Sequence, residues 1–133
     1  MKDKKHANFI NGEWVYSKTY LTNSSPSDLE DIIGLYARGD AADCEKAITA
    51  AKHAAPAWAE SGLEQRKKIL DMIGTELIER SVEIGRILAR EEGKTVAEGT
   101  GEVFRSGQFF QYYAAETLRQ MGEVADSVRP GVD

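Results

Sequence analysis

The segment PAWAESGLEQR (residues 56–66) separates two stretches of helical periodicity, an Ala-rich one before it and a more apolar one after it. Pro56 lacks a backbone N–H and clashes with the preceding turn, so we expect it to kink or end the first helix. Ser61 and Glu64 have the spacing of a capping box, which predicts that a second helix begins there. The chain around this segment is therefore predicted to be mostly α-helical.

Four helices are predicted over residues 39–122, and three of them lie before residue 94. Asp40 is a good N-cap for the first helix. The second should run to Arg80, with Ser81 starting a shorter third helix that ends at Gly93, a residue suited to a left-handed cap. The apolar stripe of the second helix consists of Ile69, Ile73 and Leu77.

The fourth helix is predicted to begin at a capping box formed by Thr95 and Glu98. Its apolar positions continue to Met121, and Gly122 should close it. Each glycine inside a helix costs about 1 kcal/mol relative to alanine. Such residues indicate close approach of another backbone or of a ligand, and packing is the interpretation we favour. The glycines concerned are Gly99, Gly101 and Gly107.

Residues 9–38 are predicted to form a β-hairpin and one extra strand. Asn11-Gly12 suits a type I′ turn between two short apolar stretches. The segment 24–31 around Pro26 is turn-rich, and residues 32–37 read as the extra strand. We expect residues 1–8 to be a disordered terminus and residues 123–133 to be a connector.

Charge and composition exclude several classes of partner. The chain has 17 basic and 22 acidic residues and a net charge of -5, which does not favour a nucleic-acid surface. No stretch approaches the ~18 consecutive apolar residues of a membrane span, and no secretory signal is recognisable. Cys44 is the single cysteine, so a disulfide framework within the chain is impossible and the cytoplasm is the expected compartment.

Neither Cys44 nor the two histidines forms a recognisable catalytic or metal-binding pattern. Asp43 and Glu45 flank Cys44 and disfavour its thiolate, so we predict that Cys44 is not a nucleophile. His6 and His53 are too far apart in sequence, and have too few suitable neighbours, for a transition-metal site.

Four blocks, in this order and at these separations, resemble the N-terminal region of the NAD(P)-dependent aldehyde dehydrogenases. They are FINGEWV (residues 9–15), the segment at 56–66, REEGKT (residues 90–95) and GEV (residues 101–103). The similarity is greatest to members that oxidise α-ketoglutaric semialdehyde. It implies that the chain supplies the hairpin and outer helices of an α/β fold whose Rossmann-like cofactor domain is incomplete here.

The resemblance implies that the complete enzyme oxidises an aldehyde to an acid with NAD or NADP. A cysteine thiolate attacks the aldehyde, hydride passes to the nicotinamide, and a glutamate activates water. Those groups lie beyond this segment in the family, so we expect the segment alone to be inactive and to bind no cofactor. The remainder of its own chain and further copies in a homo-oligomer are the expected partners.

Arg105 and Gly101 match positions that line the mouth of the aldehyde tunnel in the family. An arginine there would hold an aldehyde with a carboxylate at its far end, because the planar guanidinium binds two carboxylate oxygens at once. The alternative is an exposed arginine that pairs with Glu102 or Glu98 on a solvated face. The sequence leaves both interpretations open.

Glu91 is a weaker candidate, for a structural cation. In some family members such an ion lies between this region and carbonyl groups of the early turn, which corresponds to Asn23-Ser24 here. The usual Asn-Pro before that turn is replaced by Ser25-Pro26. An ordinary hydrogen-bonded or solvated glutamate is the alternative.

A second function class also fits the helices, namely a stand-alone helical module that docks a partner through the Phe- and Tyr-bearing fourth helix. Such a module should bury its apolar stripes internally. A segment of a larger enzyme should instead expose a large apolar surface. The exposure of the apolar residues therefore separates the two hypotheses.

Overall fold

The computed structural model describes residues 4–119 together with Gly122, Val128 and Gly131. It is mostly helical with short strands before the helices, as the sequence predicts. The strands are β1 (Lys5–His6), β2 (Asn8–Ile10), β3 (Glu13–Val15), β4 (Tyr20–Ser25) and β5 (Asp28–Ala37). The helices are α1 (Ala41–Glu60), α2 (Leu63–Glu79), α3 (Ser81–Glu92) and α4 (Val96–Glu116).

Strands β2 and β3 form the predicted hairpin. Asn11 and Gly12 at its turn have φ values of 53° and 81°, which are the positive values that a type I′ turn requires. The register pairs Phe9 with Trp14, and the centroids of their rings are 4.9 Å apart. The hairpin prediction is therefore confirmed.

The remaining strands form a three-stranded sheet in the order β1-β5-β4. Strand β5 includes the predicted extra strand, but β4 was not predicted, and the turn expected over residues 24–31 occupies only Pro26 and Ser27. Strand β4 has the sequence YLTNSS, which lacks a regular apolar alternation. Antiparallel pairing with β5 makes it a strand, and this pairing is not visible in local sequence.

The expectation of a disordered N-terminus is wrong for Lys5, His6 and Asn8. Strand β1 pairs in parallel with β5 through Lys5 and Leu35 and through His6 and Tyr36. The His6 and Tyr36 rings stack with centroids 4.6 Å apart and an interplanar angle of 10°. Contacts with a strand some thirty residues away order this segment, and a local reading of charge could not reveal them.

Helix α1 begins as predicted and continues beyond Pro56, which was expected to kink or end it. Asp40 caps it by accepting from the Asp43 backbone N–H at 2.9 Å. The helix continues past Pro56 to Glu60, so the proline does not end it. A proline removes one hydrogen bond within the helix. The last carbonyl groups of the helix accept hydrogen bonds from residues that follow it.

Arg66 provides most of those bonds. Its Nη2 donates to the carbonyl oxygens of Trp58 at 2.9 Å and Ala59 at 2.7 Å, and its Nε donates to the Ser61 hydroxyl at 3.0 Å. The Ser61 hydroxyl in turn donates to the Trp58 carbonyl at 2.6 Å. Ser61 therefore ends α1 and does not begin α2.

The predicted capping box of Ser61 and Glu64 is consequently wrong. Gly62 is the N-cap of α2, and within the described chain no side chain bonds to that cap. The later boundaries agree better with the sequence. Gly93 ends α3 in the left-handed region with φ of 71°. Thr95 and Glu98 form the expected capping box at the start of α4.

Helix α4 ends at Glu116, earlier than the predicted Met121. The Thr117 hydroxyl donates to the Ala114 carbonyl at 2.7 Å, and the Leu118 backbone N–H bonds three residues back to Ala115. These tighter bonds end the regular helix. Met121 lies outside the described residues, as does the predicted connector at 123–133 apart from Val128 and Gly131.

Helix α4 packs against α2 and α3 through glycines. Gly107 lies against Gly74 of α2, and Gly99 lies against Gly85 of α3, in both cases with backbone contact. These contacts confirm packing as the reason for two of the three helical glycines. Gly101 differs, because an added Cβ there would meet no described atom within 4 Å.

The hydrophobic core is small. Among the described residues, only Ala89, Val103 and Ala114 are buried apolar side chains. Large apolar residues are instead exposed along the hairpin and all four helices, including Phe9, Trp14, Ile48, Trp58, Met72, Ile87, Phe109, Tyr112 and Tyr113. The apolar stripes are therefore not satisfied internally, which agrees with the larger-enzyme hypothesis and disagrees with the stand-alone module. No described helix is both long enough and apolar enough to cross a membrane.

Candidate functional site

Arg105 and Gly101 lie one helical turn apart on the face of α4 that points away from α3. Both line a shallow surface cavity of about 430 Å³. Phe109, one turn further along α4, contributes to the same cavity and leaves 57% of its surface exposed. The cavity therefore has open space above Gly101 on one side of the guanidinium and the ring of Phe109 on the other side.

The two acids that could neutralise Arg105 also line the cavity, but both bind other groups. Glu98 accepts from the Thr95 backbone N–H at 3.0 Å and from its hydroxyl at 2.8 Å. Both carboxylate oxygens of Glu102 lie 2.7 Å from Lys94 Nζ. The ion pair offered as the alternative for Arg105 is therefore absent from the described part of the chain. Whether Arg105 binds substrate stays a prediction.

Lys94 was not singled out in the sequence. Its ammonium pairs with Glu92 as well as Glu102, and its side chain is 20% exposed. Hydrogen bonds to Glu102 and then to Glu92 raise the pKa of Lys94. The signal that could have revealed it is a lysine directly after the Gly93 cap, where the chain turns from α3 back along α4.

Thr95 affects the charge state of the neighbouring acid. Hydrogen bonds from its hydroxyl and its backbone N–H lower the pKa of Glu98. Glu98 is therefore held as a carboxylate at the start of α4, where the positive end of the helix dipole also favours an anion. Its carboxylate thus binds at the N-terminal end of α4.

Glu91 links α3 to the sheet. Its Oε1 accepts from the Asn23 side-chain amide at 2.8 Å and from the Tyr36 hydroxyl at 3.4 Å. Burial, and then the charge of Glu91, raises the pKa of Tyr36. The Oε1 atom of Glu91 thus already has two hydrogen-bond donors, and a structural cation at Glu91 stays a prediction. Among the described residues there is no group of three or more His, Cys, Asp or Glu side chains that could hold a metal ion.

The other reactive side chains lie apart from this cavity. Cys44 is an exposed free thiol in the first turns of α1. His53 lies on α1 beside a groove toward the β2–β3 hairpin, and His6 stacks on Tyr36. The structure therefore brings Arg105 and Gly101 together and leaves Glu91 at a separate place.

Residues 14–133 match the model of the Aldehyde dehydrogenase family, and the chain belongs to that family. One relative is the α-ketoglutaric semialdehyde dehydrogenase of Bacillus subtilis, which is 37% identical over 124 residues. That match covers 92% of this chain and 25% of the relative. The chain thus spans about a quarter of the length of the curated relatives it matches, and the resemblance drawn from the four sequence blocks is confirmed.

Solved structures show the same fold. Lactaldehyde dehydrogenase from Escherichia coli superposes with a TM-score of 0.87 at 29% identity, over 96% of this chain and 27% of that one. A point mutant of betaine aldehyde dehydrogenase from Staphylococcus aureus, in complex with NAD+, gives 0.87 at 28% identity, over 94% and 26%. The predicted fold class, part of the aldehyde dehydrogenase fold, is confirmed.

Proposed function

We propose that this chain forms part of an NAD(P)-dependent aldehyde dehydrogenase that oxidises a carboxylate-bearing semialdehyde to an acid. Arg105 carries the proposal, because it is an exposed guanidinium without an acidic partner among residues 4–119 and lies beside open space at Gly101. The name of the Bacillus subtilis relative, whose substrate is a semialdehyde with a carboxylate, supports the same substrate class.

In this proposal Arg105 binds the end of the substrate that does not react. Its guanidinium donates two parallel hydrogen bonds to the carboxylate, and the missing side chain at Gly101 leaves room for the substrate. Phe109 offers an apolar surface for the methylene groups between carboxylate and aldehyde. An interaction of this kind distinguishes acidic from neutral aldehydes.

The reacting groups are proposed to come from other parts of the complete enzyme. No residue of this chain is assigned as nucleophile, base or cofactor ligand, and the segment alone is expected to be inactive. NAD or NADP accepts the hydride when it is bound to the complete enzyme. We expect that enzyme in the cytoplasm, in keeping with the free thiol of Cys44.

The exposed apolar faces support the remainder of the enzyme as the main partner. Trp14 on the hairpin, Ile48 on α1 and Tyr113 on α4 leave 67%, 63% and 59% of their surfaces exposed. Large apolar side chains exposed on several elements are expected where further protein covers a surface. Further copies in a homo-oligomer could cover any part that the same chain leaves exposed.

The test compares acidic and neutral aldehydes in the complete enzyme. We expect Arg105→Ala to lower kcat/KM for a semialdehyde about 10- to 100-fold, since a hydrogen-bonded charge pair is worth roughly 1.5–3 kcal/mol. A neutral aldehyde of the same length should change by less than about threefold. Arg105→Lys, which keeps the charge, is the matched control and should recover part of the loss. Equal losses for both aldehydes would contradict the proposal.

A further inference from the structure

Three charged side chains share the cavity on α4. Glu98 binds the neutral groups of Thr95, Glu102 pairs with Lys94, and Arg105 has no ion pair among the described residues. Glu102 precedes Arg105 by three residues on the same helix. Acid and arginine at that spacing on a helix are neighbours and attract each other. The absence of a Glu102–Arg105 pair therefore needs a cause.

Lys94 supplies that cause. Its Nζ lies 2.7 Å from each carboxylate oxygen of Glu102. Both oxygens are therefore bound by a residue that precedes the N-terminus of α4. The backbone around Lys94 is fixed as well, because Gly93 adopts the left-handed cap and the Lys94 N–H bonds to the Ala89 carbonyl at 3.2 Å. Lys94 lies in the short connection between α3 and α4, and its ammonium also pairs with Glu92 at the end of α3.

A released Glu102 would weaken anion binding in two ways. It could pair with the guanidinium of Arg105, which would compete with a substrate carboxylate for the same N–H groups. It would also place an uncompensated negative charge in the same cavity, and like charges a few ångströms apart repel. Glu98 poses less of this problem, because Thr95 binds it at the cap.

We propose that Lys94 is a positioning residue that holds Glu102 away from Arg105 and so keeps the guanidinium available for the carboxylate of the substrate. This inference rests on the proposed function of Arg105. It assigns no direct substrate contact to Lys94. Lys94 acts through Glu102, so removing Glu102 should make Lys94 dispensable for the choice of substrate.

The experiment is a double-mutant cycle in the complete enzyme, read as the ratio of kcat/KM for a semialdehyde to kcat/KM for a neutral aldehyde. Lys94→Met should lower this ratio about three- to tenfold, mainly by raising KM for the semialdehyde. Glu102→Gln alone should change it less than about twofold, since Lys94 already neutralises that acid. Lys94→Met combined with Glu102→Gln should restore the wild-type ratio.

Two further variants serve as controls. Lys94→Arg keeps a cation near Glu102 and should retain most of the wild-type ratio. Lys94→Gln replaces Lys94→Met should the latter fail to fold. The loss caused by either neutral variant should shrink as salt concentration rises, because salt screens charges exposed to solvent.

The results distinguish a failure of the role of Lys94 from a failure of the substrate site at Arg105. An unchanged ratio in Lys94→Met, or a double variant no better than Lys94→Met, would overturn the role of Lys94 even where Arg105→Ala remains selective. Equal losses for both aldehydes in Arg105→Ala would instead overturn the substrate site itself. A merely structural lysine would lower both rates together and would not be rescued by Glu102→Gln.

Discussion

Gly99 of α4 lies directly against Gly85 of α3, so close that a Cβ on Gly99 would come 2.4 Å from the Gly85 carbonyl oxygen. The two helix backbones touch at this point. The contact turns Gly99 and the buried Val103 toward the neighbouring helices. Gly101 and Arg105 then lie on the outer face, which is how the packing of the helices positions the candidate site.

We expect Gly99→Ala to destabilise the chain. An added methyl group cannot be accommodated without separating α3 from α4, and overpacking of this kind costs about 1–3 kcal/mol. Gly101→Ala is the matched control on the same helix, because its added methyl meets no described atom within 4 Å. It should gain up to about 1 kcal/mol of helix propensity. Urea unfolding of both variants provides the measurement, and equal effects would contradict the packing argument.

Local patterns in the sequence predicted helix boundaries well where the chain itself supplies the partner. The capping box of Thr95 and Glu98 formed as expected, whereas the identical spacing at Ser61 and Glu64 did not. The difference lies in Arg66, whose guanidinium binds Ser61 and the last carbonyl groups of α1. A competing long side chain changes the outcome, and spacing alone does not show it.

The candidate site illustrates the same limit. Sequence resemblance identified Arg105 and Gly101, yet it could not decide between a free arginine and one paired with Glu102. In the structure Glu102 binds Lys94, which lies eight residues earlier and before the start of α4. Strand β4 was missed for a similar reason, because its partner β5 and not its own composition makes it a strand.

The ion pair of Asp31 and Arg90, which joins β5 to α3, should make stability depend on pH. Arg90 Nε donates to Asp31 at 2.6 Å, and this hydrogen bond is the main reason that the pKa of Asp31 is lowered. A lowered pKa means that the stabilisation is complete above the unfolded value of about 3.9 and is lost as pH falls through the folded value. We therefore expect Asp31→Asn to reduce the free energy of unfolding at neutral pH.

The difference in the free energy of unfolding between wild type and Asp31→Asn should vanish once the pH lies below both the folded and the unfolded pKa of Asp31. Denaturant unfolding over a series of pH values measures it. Both side chains are partly exposed, so the effect is small and should decrease with added salt. A difference that stays constant from neutral to acidic pH would show that the substitution acts through packing and not through charge.

Arg66 should matter more for its shape than for its charge. Arg66→Ala removes three hydrogen bonds at the end of α1 and should lower the free energy of unfolding by about 1–2 kcal/mol. Arg66→Lys keeps the charge but not the fork of donors, so we expect it to recover less than half of that loss. Thermal unfolding by circular dichroism checks both variants. Full recovery by lysine would indicate that charge alone suffices.

The exposed stripe of α1 provides a test of whether the chain is covered by further protein. Ile48 is 63% exposed, whereas Val103 on α4 is 6% exposed. In the 133-residue chain Ile48→Gln should change the free energy of unfolding by less than about 0.5 kcal/mol. Val103→Ala, the buried control, should cost about 1–3 kcal/mol.

In the complete enzyme that we propose, Ile48→Gln and Val103→Ala should lower the free energy of unfolding by similar amounts. The reason is that Ile48 would then be covered, and its burial is worth about 1.5–3 kcal/mol. Denaturant unfolding of both variants in both proteins provides the comparison, and binding of a hydrophobic dye to the 133-residue chain should fall in Ile48→Gln. A large cost of Ile48→Gln in the 133-residue chain would mean that the stripe is already covered there. No added cost in the longer protein would mean that this face of α1 stays exposed to solvent, and α1 would then not be part of the contact between this segment and the rest of the enzyme.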